Sequence, residues 1–244
     1  MPARHIAIAV AVLLAGCASS ASRVDHDPWE PVNRGIYRFN DVSDRVLIKP
    51  VAKAYKKVVP QFMRRGVSNF SDNLGTPRSA LNNFLQGKPK RGFDDIARFL
   101  FNSTLGVGGL FDIASAGGLE EYDEDFGQTF AVWGVPDGPY LVLPFMGPST
   151  LRDAFGRPLD VLADPLYHYE NSSVRDPLYV LRIIDLRTRL LSAESLLEDS
   201  QDRYITLRES YLQNRNYVIH DGDPPVDDDF YHDFDDFEDV GDNN

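Results

Sequence analysis

From Asp27 onward a glycine or a proline interrupts the chain every ten to twenty residues, which points to many short helices joined by tight turns. Pro31 suits the first turn of a helix carrying Ile36, Phe39 and Val42. Pro50 and Pro60 bracket a second helix, Val51 to Val59. Pro89 opens a third over Lys90 to Leu105, with Phe93, Ile96, Ala97, Leu100 and Phe101 at helical spacing. Near the end Tyr179, Ile183, Leu186, Leu190, Ala193 and Leu197 form one apolar stripe. Arg182, Asp185, Arg189, Ser192 and Ser195 lie opposite, with Asp185 and Arg189 one helical turn apart. A further helix over about Ser200 to Asn216 puts Tyr204, Leu207 and Tyr211 in step. The plain expectation for this pair is a helical hairpin in a core, and the alternative is a pair lying on a membrane. With 43% apolar residues the chain has material for a sizeable core, as one domain or a compact pair. It shows no internal repeat, and the body reads as mostly α.

Gly127 to Gly156 differs. Gly134, Pro136, Gly138, Pro139, Pro144, Gly147 and Pro148 break helices there, yet Tyr140 to Met146 (Tyr-Leu-Val-Leu-Pro-Phe-Met) is the most apolar run beyond the N-terminus. Such a run between breakers reads as a buried strand or core loop. The alternative is an exposed apolar hairpin in contact with lipid.

Charge is distributed unevenly. The formal net charge is −12, but the segment Asp221 to Asn244 holds eleven acids and no Lys or Arg. The remaining body carries 25 basic against 26 acidic groups, which excludes a basic nucleic-acid binder. The acidic segment repels itself and reads as a disordered tail, with Phe230, Tyr231, Phe234 and Phe237 interleaved.

A single cysteine, Cys17, excludes an intrachain disulfide and a thiolate metal cluster. It follows the apolar run Ile6 to Ala15, too short for a bilayer of about 30 Å but suited to a signal-peptide core. Leu14-Ala15-Gly16-Cys17 resembles the bacterial lipobox, so cleavage is expected after Gly16, leaving Cys17 as the lipidated first residue. Several acyl chains on one residue make a lasting anchor. Ala18 follows where aspartate would commonly retain a lipoprotein at the inner membrane, so the expected location is the periplasmic face of the outer membrane. The expected organisation is a signal peptide over 1–16, a lipidated tether over 17–26, a helical domain over 27–220 and the tail over 221–244.

Signals for catalysis are weak. There is no Gly-x-Ser-x-Gly elbow and no Ser-x-x-Lys pair. Gly106-Val107-Gly108-Gly109 lacks the Lys of a P-loop and reads as close packing or a tight turn. His26, His168, His220 and His232 show no metal-ligand spacing. Glu120, Glu121, Asp123, Glu124 and Asp125 read as a solvated turn rather than a glycosidase pair. The tail lacks the calcium-loop order, so no metal, no cofactor and no enzyme activity are expected.

Ordered blocks in the body resemble the MlaA (VacJ) family of outer-membrane lipoproteins. The first is Asp27-Pro28-Trp29-Glu30-Pro31-Val32-Asn33-Arg34 with Tyr37-Arg38-Phe39-Asn40. Gly66 to Phe70, Asn82 to Gly87, Phe101 to Gly106, Asp125 to Thr129, Leu143 to Phe145 and Ser149 to Asp153 follow in order. The resemblance runs from about Asp27 to Asp221 and is weaker from Pro158 to Arg175. It implies a ring of amphipathic helices around a channel in the inner leaflet of the outer membrane. It further implies removal of mislocalised phospholipid, delivery to the periplasmic carrier MlaC and the MlaFEDB transporter, and association with a trimeric porin, with no covalent chemistry on the lipid. The family's hairpin beside its channel turns the expectation for Gly134 to Gly147 toward lipid contact. Gly134, Gly138 and Pro139 would shape it, and Tyr140, Leu141, Leu143, Pro144, Phe145 and Met146 would touch lipid or gate its passage. Phe39 and Asn40 carry the N-terminal motif. Trp29 and Trp133 are candidate interfacial anchors, with core packing as the alternative.

Overall fold

The structure, a computed structural model, describes residues 27–194 and 200–225. Cys17, Leu197 and the tail from residue 226 on lie outside the described residues. In order, the elements are α1 (Glu30–Ser43), a π-helical turn (Asp44–Ile48), α2 (Lys49–Val58), α3 (Gln61–Leu85), α4 (Pro89–Thr104) and α5 (Ile113–Ala116). Then come α6 (Phe126–Val132), β1 (Tyr140–Leu143), β2 (Gly147–Thr150), α7 (Leu151–Ala163), a 3-10 turn (Pro165–His168), α8 (Ser172–Leu190) and α9 (Arg203–Ile219). The prolines behave as their chemistry requires: Pro31, Pro50 and Pro89 each fall in the first turn of α1, α2 and α4.

The expectation that glycine and proline keep the helices of this region short fails at α3. It runs 25 residues through Gly66, Gly75 and Pro77. Proline inside a helix forfeits one backbone bond, and packing of α3 along α4 and α8 offsets that local loss. The two strands pair antiparallel, with Tyr140 opposite Thr150 and Leu143 opposite Gly147.

The interior is polar. Among the described residues only seven apolar side chains are buried, against eighteen polar or charged ones. This overturns the expectation of a large apolar core. Along the α3–α4 seam the buried groups are Asn82, Asn83, Ser79, Asp95, Arg98 and Asn102. Ser79 Oγ and Asn83 Nδ2 both donate to Asp95 Oδ2, at 2.8 and 2.9 Å. Arg98 Nη1 donates to the Leu119 carbonyl at 2.6 Å and to Ser115 Oγ at 3.0 Å. Each bond lowers the cost of burying these side chains, while Asn83 Oδ1 and Asp95 Oδ1 stay buried without a hydrogen-bond partner.

The apolar faces consequently turn outward. On α4, Phe93, Ile96, Leu100 and Phe101 are all exposed, Phe93 at 64%. On α8, Val180, Ile183, Leu186 and Leu190 are exposed while Asp185 and Thr188 are buried. The stripe read as a core face is therefore an outer face, and the polar face packs inward. Ser68 Oγ donates to Asp185 Oδ2 at 2.8 Å, and Arg189 Nε lies 3.4 Å from the same oxygen. No helix among the described residues is long and apolar enough to cross a membrane.

A small aromatic cluster provides the apolar packing: Tyr140 and Val142 of β1 with Tyr204 of α9, flanked by Ile36, Tyr37, Tyr211 and Leu212. Tyr204 meets Tyr37 edge-on at 5.7 Å and Tyr140 at 6.3 Å. Arg34 stacks over the Tyr204 ring at 4.4 Å and grips Asp202, the N-cap of α9, at 2.8 Å. The glycine run at 106–109 is the tight turn after α4: a Cβ at Gly106 would stand 2.2 Å from the Phe111 carbonyl oxygen. Asp221, counted with the tail from sequence, is tied to the body by Lys88 at 2.7 Å and by Arg91.

Candidate functional site

The hairpin is held by two asparagines seven residues apart on α1, on the face that packs against β1. Asn33 Nδ2 donates to the Tyr140 carbonyl at 3.0 Å, and its Oδ1 accepts from Val142 N at 2.9 Å. Asn40 repeats the arrangement at the tip: Nδ2 donates to the Leu143 carbonyl at 2.9 Å and Oδ1 accepts from Phe145 N at 2.8 Å. Phe145 adopts a left-handed backbone, φ 62°, a strained state for a bulky residue. The Asn40 bond and edge-on contact of its ring with Phe39, at 5.0 Å, hold it there.

Beside the hairpin lies a cavity of about 960 Å³. One wall is apolar, with Leu143, Pro144 and Met146 of the hairpin facing Val161, Leu162 and Tyr167. The other wall is charged: Arg78 of α3, Asp125 at the α6 N-cap, Asp153, Arg157 and Asp160 of α7, and Arg215 of α9. Arg215 holds Asp125 through two bonds of 2.6 Å and reaches Asp153 Oδ1 at 3.0 Å. Tyr211 donates to Asp153 Oδ2 at 2.6 Å. Burial works against the Arg215 charge, but Asp125 outweighs it and the guanidinium is held charged. Burial pushes the Asp160 carboxyl up to about 6, against the bond from Phe126 N and the nearby Arg78 and Arg215. Close packing frames this wall: a Cβ on Gly156 would lie 2.6 Å from Gly127 N, so α7 meets α6 at backbone distance. An apolar wall opposite a charged one suits an amphipathic ligand.

The expected site residues separate by place. Leu143, Pro144 and Met146 line the cavity. Phe145 is 71% exposed at the tip. Tyr140, expected to touch lipid, is instead 1% exposed and packed against Tyr204, because alternation along β1 points it and Val142 inward. Leu141 is half-buried on the opposite face of β1. Gly134 and Gly138 take positive φ in the turns leading into β1, and Pro139 accepts from Leu151 N at 3.1 Å. Phe39 and Asn40 clamp the tip. Trp29 and Trp133 are both exposed, Trp133 donating to the Leu85 carbonyl at 3.0 Å.

The acidic stretch read as a solvated turn is partly structural. Glu124 is buried, accepting from Gln86 at 2.8 Å, and Asp125 caps α6 through Gln128 N at 2.8 Å. Sequence reasoning missed Arg78, Arg157, Asp160, Tyr211 and Arg215, which three separate helices bring together. It quoted Asn33 without a role, although its spacing to Asn40 was a usable signal. No group of three metal-ligating side chains occurs among the described residues.

Comparison with known proteins finds relatives of this chain. A sequence model of the family described as MlaA lipoprotein matches residues 25–218. The "Intermembrane phospholipid transport system lipoprotein MlaA" of Escherichia coli (strain K12) is 39% identical over 217 residues, spanning 86% of each chain. The protein of the same description from Haemophilus influenzae is 33% identical over 224 residues, 88% of this chain and 90% of its own. A solved structure described as "Structural basis for maintenance of bacterial outer membrane lipid asymmetry" superposes at TM-score 0.70 with 38% identity, over 79% of this chain and 98% of that one.

Proposed function

The chain belongs to the MlaA lipoprotein family, and from that premise we propose that it removes mislocalised phospholipid from the outer leaflet of the outer membrane and passes it to a periplasmic carrier. The observation that carries the proposal is the inverted distribution of side chains around an amphipathic cavity. Exposed apolar faces on α1, α2, α4 and α8 suit a hydrocarbon surround, and with no spanning helix among the described residues they would seat the protein in one leaflet. The helices then ring a channel of which the cavity is the lipid-holding part. Acyl chains run along Leu143, Met146 and Val161, and the headgroup meets the charged wall. Cys17 supplies the lipid anchor at the periplasmic face. A trimeric porin is the membrane neighbour, and MlaC with the MlaFEDB transporter receives the lipid. The protein acts as a transport component that makes and breaks no bond in its cargo.

Deletion of the gene is expected to raise outer-leaflet phospholipid and detergent sensitivity, scored by surface labelling of phospholipid and by growth on detergent. Unchanged leaflet composition would overturn the proposal. Charged replacements at Leu143 and Met146, which face the cavity, should abolish complementation while the protein still fractionates with the membrane and the porin. Retained complementation would favour a structural adaptor of porins or envelope assembly. Asn40→Ala frees the hairpin tip and should weaken the fold by about 1 kcal/mol, since water can reach the exposed Phe145 amide it leaves. Its leaflet phenotype should differ from wild type, and normal asymmetry would show that the tip has no gating part.

A further inference from the structure

Once the ion pairs on the charged wall are set aside, two opposite charges remain. Arg215 is taken up by Asp125 and Asp153. Arg78 lies 2.5 Å from Asp123, which is not part of the wall. Arg157 and Asp160 are left. Arg157 makes one hydrogen bond, Nη2 to the Pro148 carbonyl at 3.0 Å. Asp160 accepts one, from Phe126 N at 3.0 Å. Neither has an opposite charge at ion-pair distance among the described residues, and both are half-buried on the cavity wall. Asp160 feels Arg78 and Arg215 only from beyond ion-pair distance, and charged groups drawn from bulk water without a contact partner are costly, so this pair is poised for a ligand that supplies both counter-charges.

Three residues apart on α7, both side chains leave one side of the helix and line the cavity, their backbone positions offset by about 4.5 Å along its axis. A headgroup that carries a phosphate and an ammonium on one short spacer can reach both at once. We propose that Arg157 and Asp160 select a zwitterionic phospholipid headgroup, with Arg157 taking the phosphate and Asp160 the terminal ammonium. This deepens the transport reading and rests on it. The whole wall supports the choice: Arg78, Arg157 and Arg215 balance Asp125, Asp153 and Asp160, so an anionic headgroup finds no net attraction. A zwitterion oriented along α7 finds both poles answered.

The test uses the full purified protein in detergent, incubated with vesicles of equal phosphatidylethanolamine and phosphatidylglycerol. Bound lipid is extracted and quantified by mass spectrometry. Wild type should hold phosphatidylethanolamine over phosphatidylglycerol by roughly tenfold, the scale of one charge-assisted hydrogen bond. Asp160→Asn should bring the ratio near one with total lipid kept, and Asp160→Glu should restore it. Arg157→Gln should lower both lipids together, since both carry a phosphate. A second arm needs no substitution. Asp125, held low against its burial by Arg215, and Arg78 and Arg215, both held high against burial by their carboxylate neighbours, keep their charges at pH 5, whereas Asp160, held up to about 6, takes a proton there, so wild-type selectivity should collapse between pH 7.5 and pH 5. An unselective wild type, or an Asp160→Asn ratio equal to wild type, overturns the headgroup proposal alone. Wild-type protein that binds neither lipid would instead overturn the transport reading.

Discussion

Two regions of this molecule are equally well packed by opposite chemistry. The α3–α4 seam is filled with Ser79, Asn82, Asn83, Asp95, Arg98 and Asn102, and its outer surface is Phe93, Ile96, Leu100 and Phe101. The β1–α9 cluster is filled with Tyr140, Val142 and Tyr204, and α9 shows Arg203, Glu209, Gln213 and Asn214 outward. Each interior is the reverse of its own exterior. The first arrangement is what the proposed seat in hydrocarbon would require, where internal polar groups must satisfy one another. The second suits a surface that meets water. On that reading α4 and α9 have different surroundings within one small domain.

The largest expected effects come from breaking each interior in its own terms. Arg98→Ala strips a nearly buried guanidinium from Ser115, Leu119 and Asp112, and should cost about 3–5 kcal/mol in a detergent-based unfolding measurement. Tyr204→Ala empties the aromatic cluster and removes the bond to Asp27, for a cost of about 3–5 kcal/mol. A small effect of Arg98→Ala together with a large one of Tyr204→Ala would show that the polar seam does not hold the fold.

A smaller effect distinguishes the regions by pH. Burial pushes Asp95 up to about 6, only partly countered by Ser79 and Asn83, and Asp160 shifts the same way. A carboxyl near 4 when unfolded and near 6 when folded binds its proton more readily in the folded state. Stability therefore falls as pH rises through that window and is lower above it. Wild type should unfold at higher temperature at pH 5 than at pH 7.5, with a stability difference of up to about 1.5 kcal/mol per group over that interval. Asp95→Asn should flatten its share of that slope, and a slope it leaves unchanged would place the effect elsewhere.

Phe93→Ser should have the smallest effect on folding, about 1 kcal/mol, because its ring is 64% exposed and loses chiefly an edge-on contact with Phe84 at 5.2 Å. Vesicle flotation should nevertheless show weaker membrane binding. Strong destabilisation with unaltered flotation would return α4 to a water-facing role.

Much of the secondary structure was legible in the sequence. Pro31, Pro50 and Pro89 located three helix starts, since a residue without an amide proton fits where none is needed. The length of α3 was hidden because Gly66, Gly75 and Pro77 read locally as breakers, while tertiary packing decides. The inversion was hidden for a deeper reason. The stripe Ile183, Leu186, Leu190 shows that two faces of α8 differ, not which solvent each one meets. Strand β1 was visible as an apolar run, but Gly147 to Thr150 carries no strand pattern and pairs because the turn delivers it. The N-terminal motif pointed to Asn40, and the family blocks included Asn33. The charged wall of Arg78, Asp160 and Arg215 comes from positions more than fifty residues apart, which no local pattern reports.

A two-stranded ribbon normally leaves both outer rows of backbone groups open, a template on which a stray strand can dock. Here Asn33 supplies Tyr140 and Val142 with what a neighbouring strand would offer. On the far side Pro148 has no amide proton, and its carbonyl is already taken by Arg157. The ribbon therefore offers few open backbone groups on either margin, which makes it a poor template for a second copy of the chain.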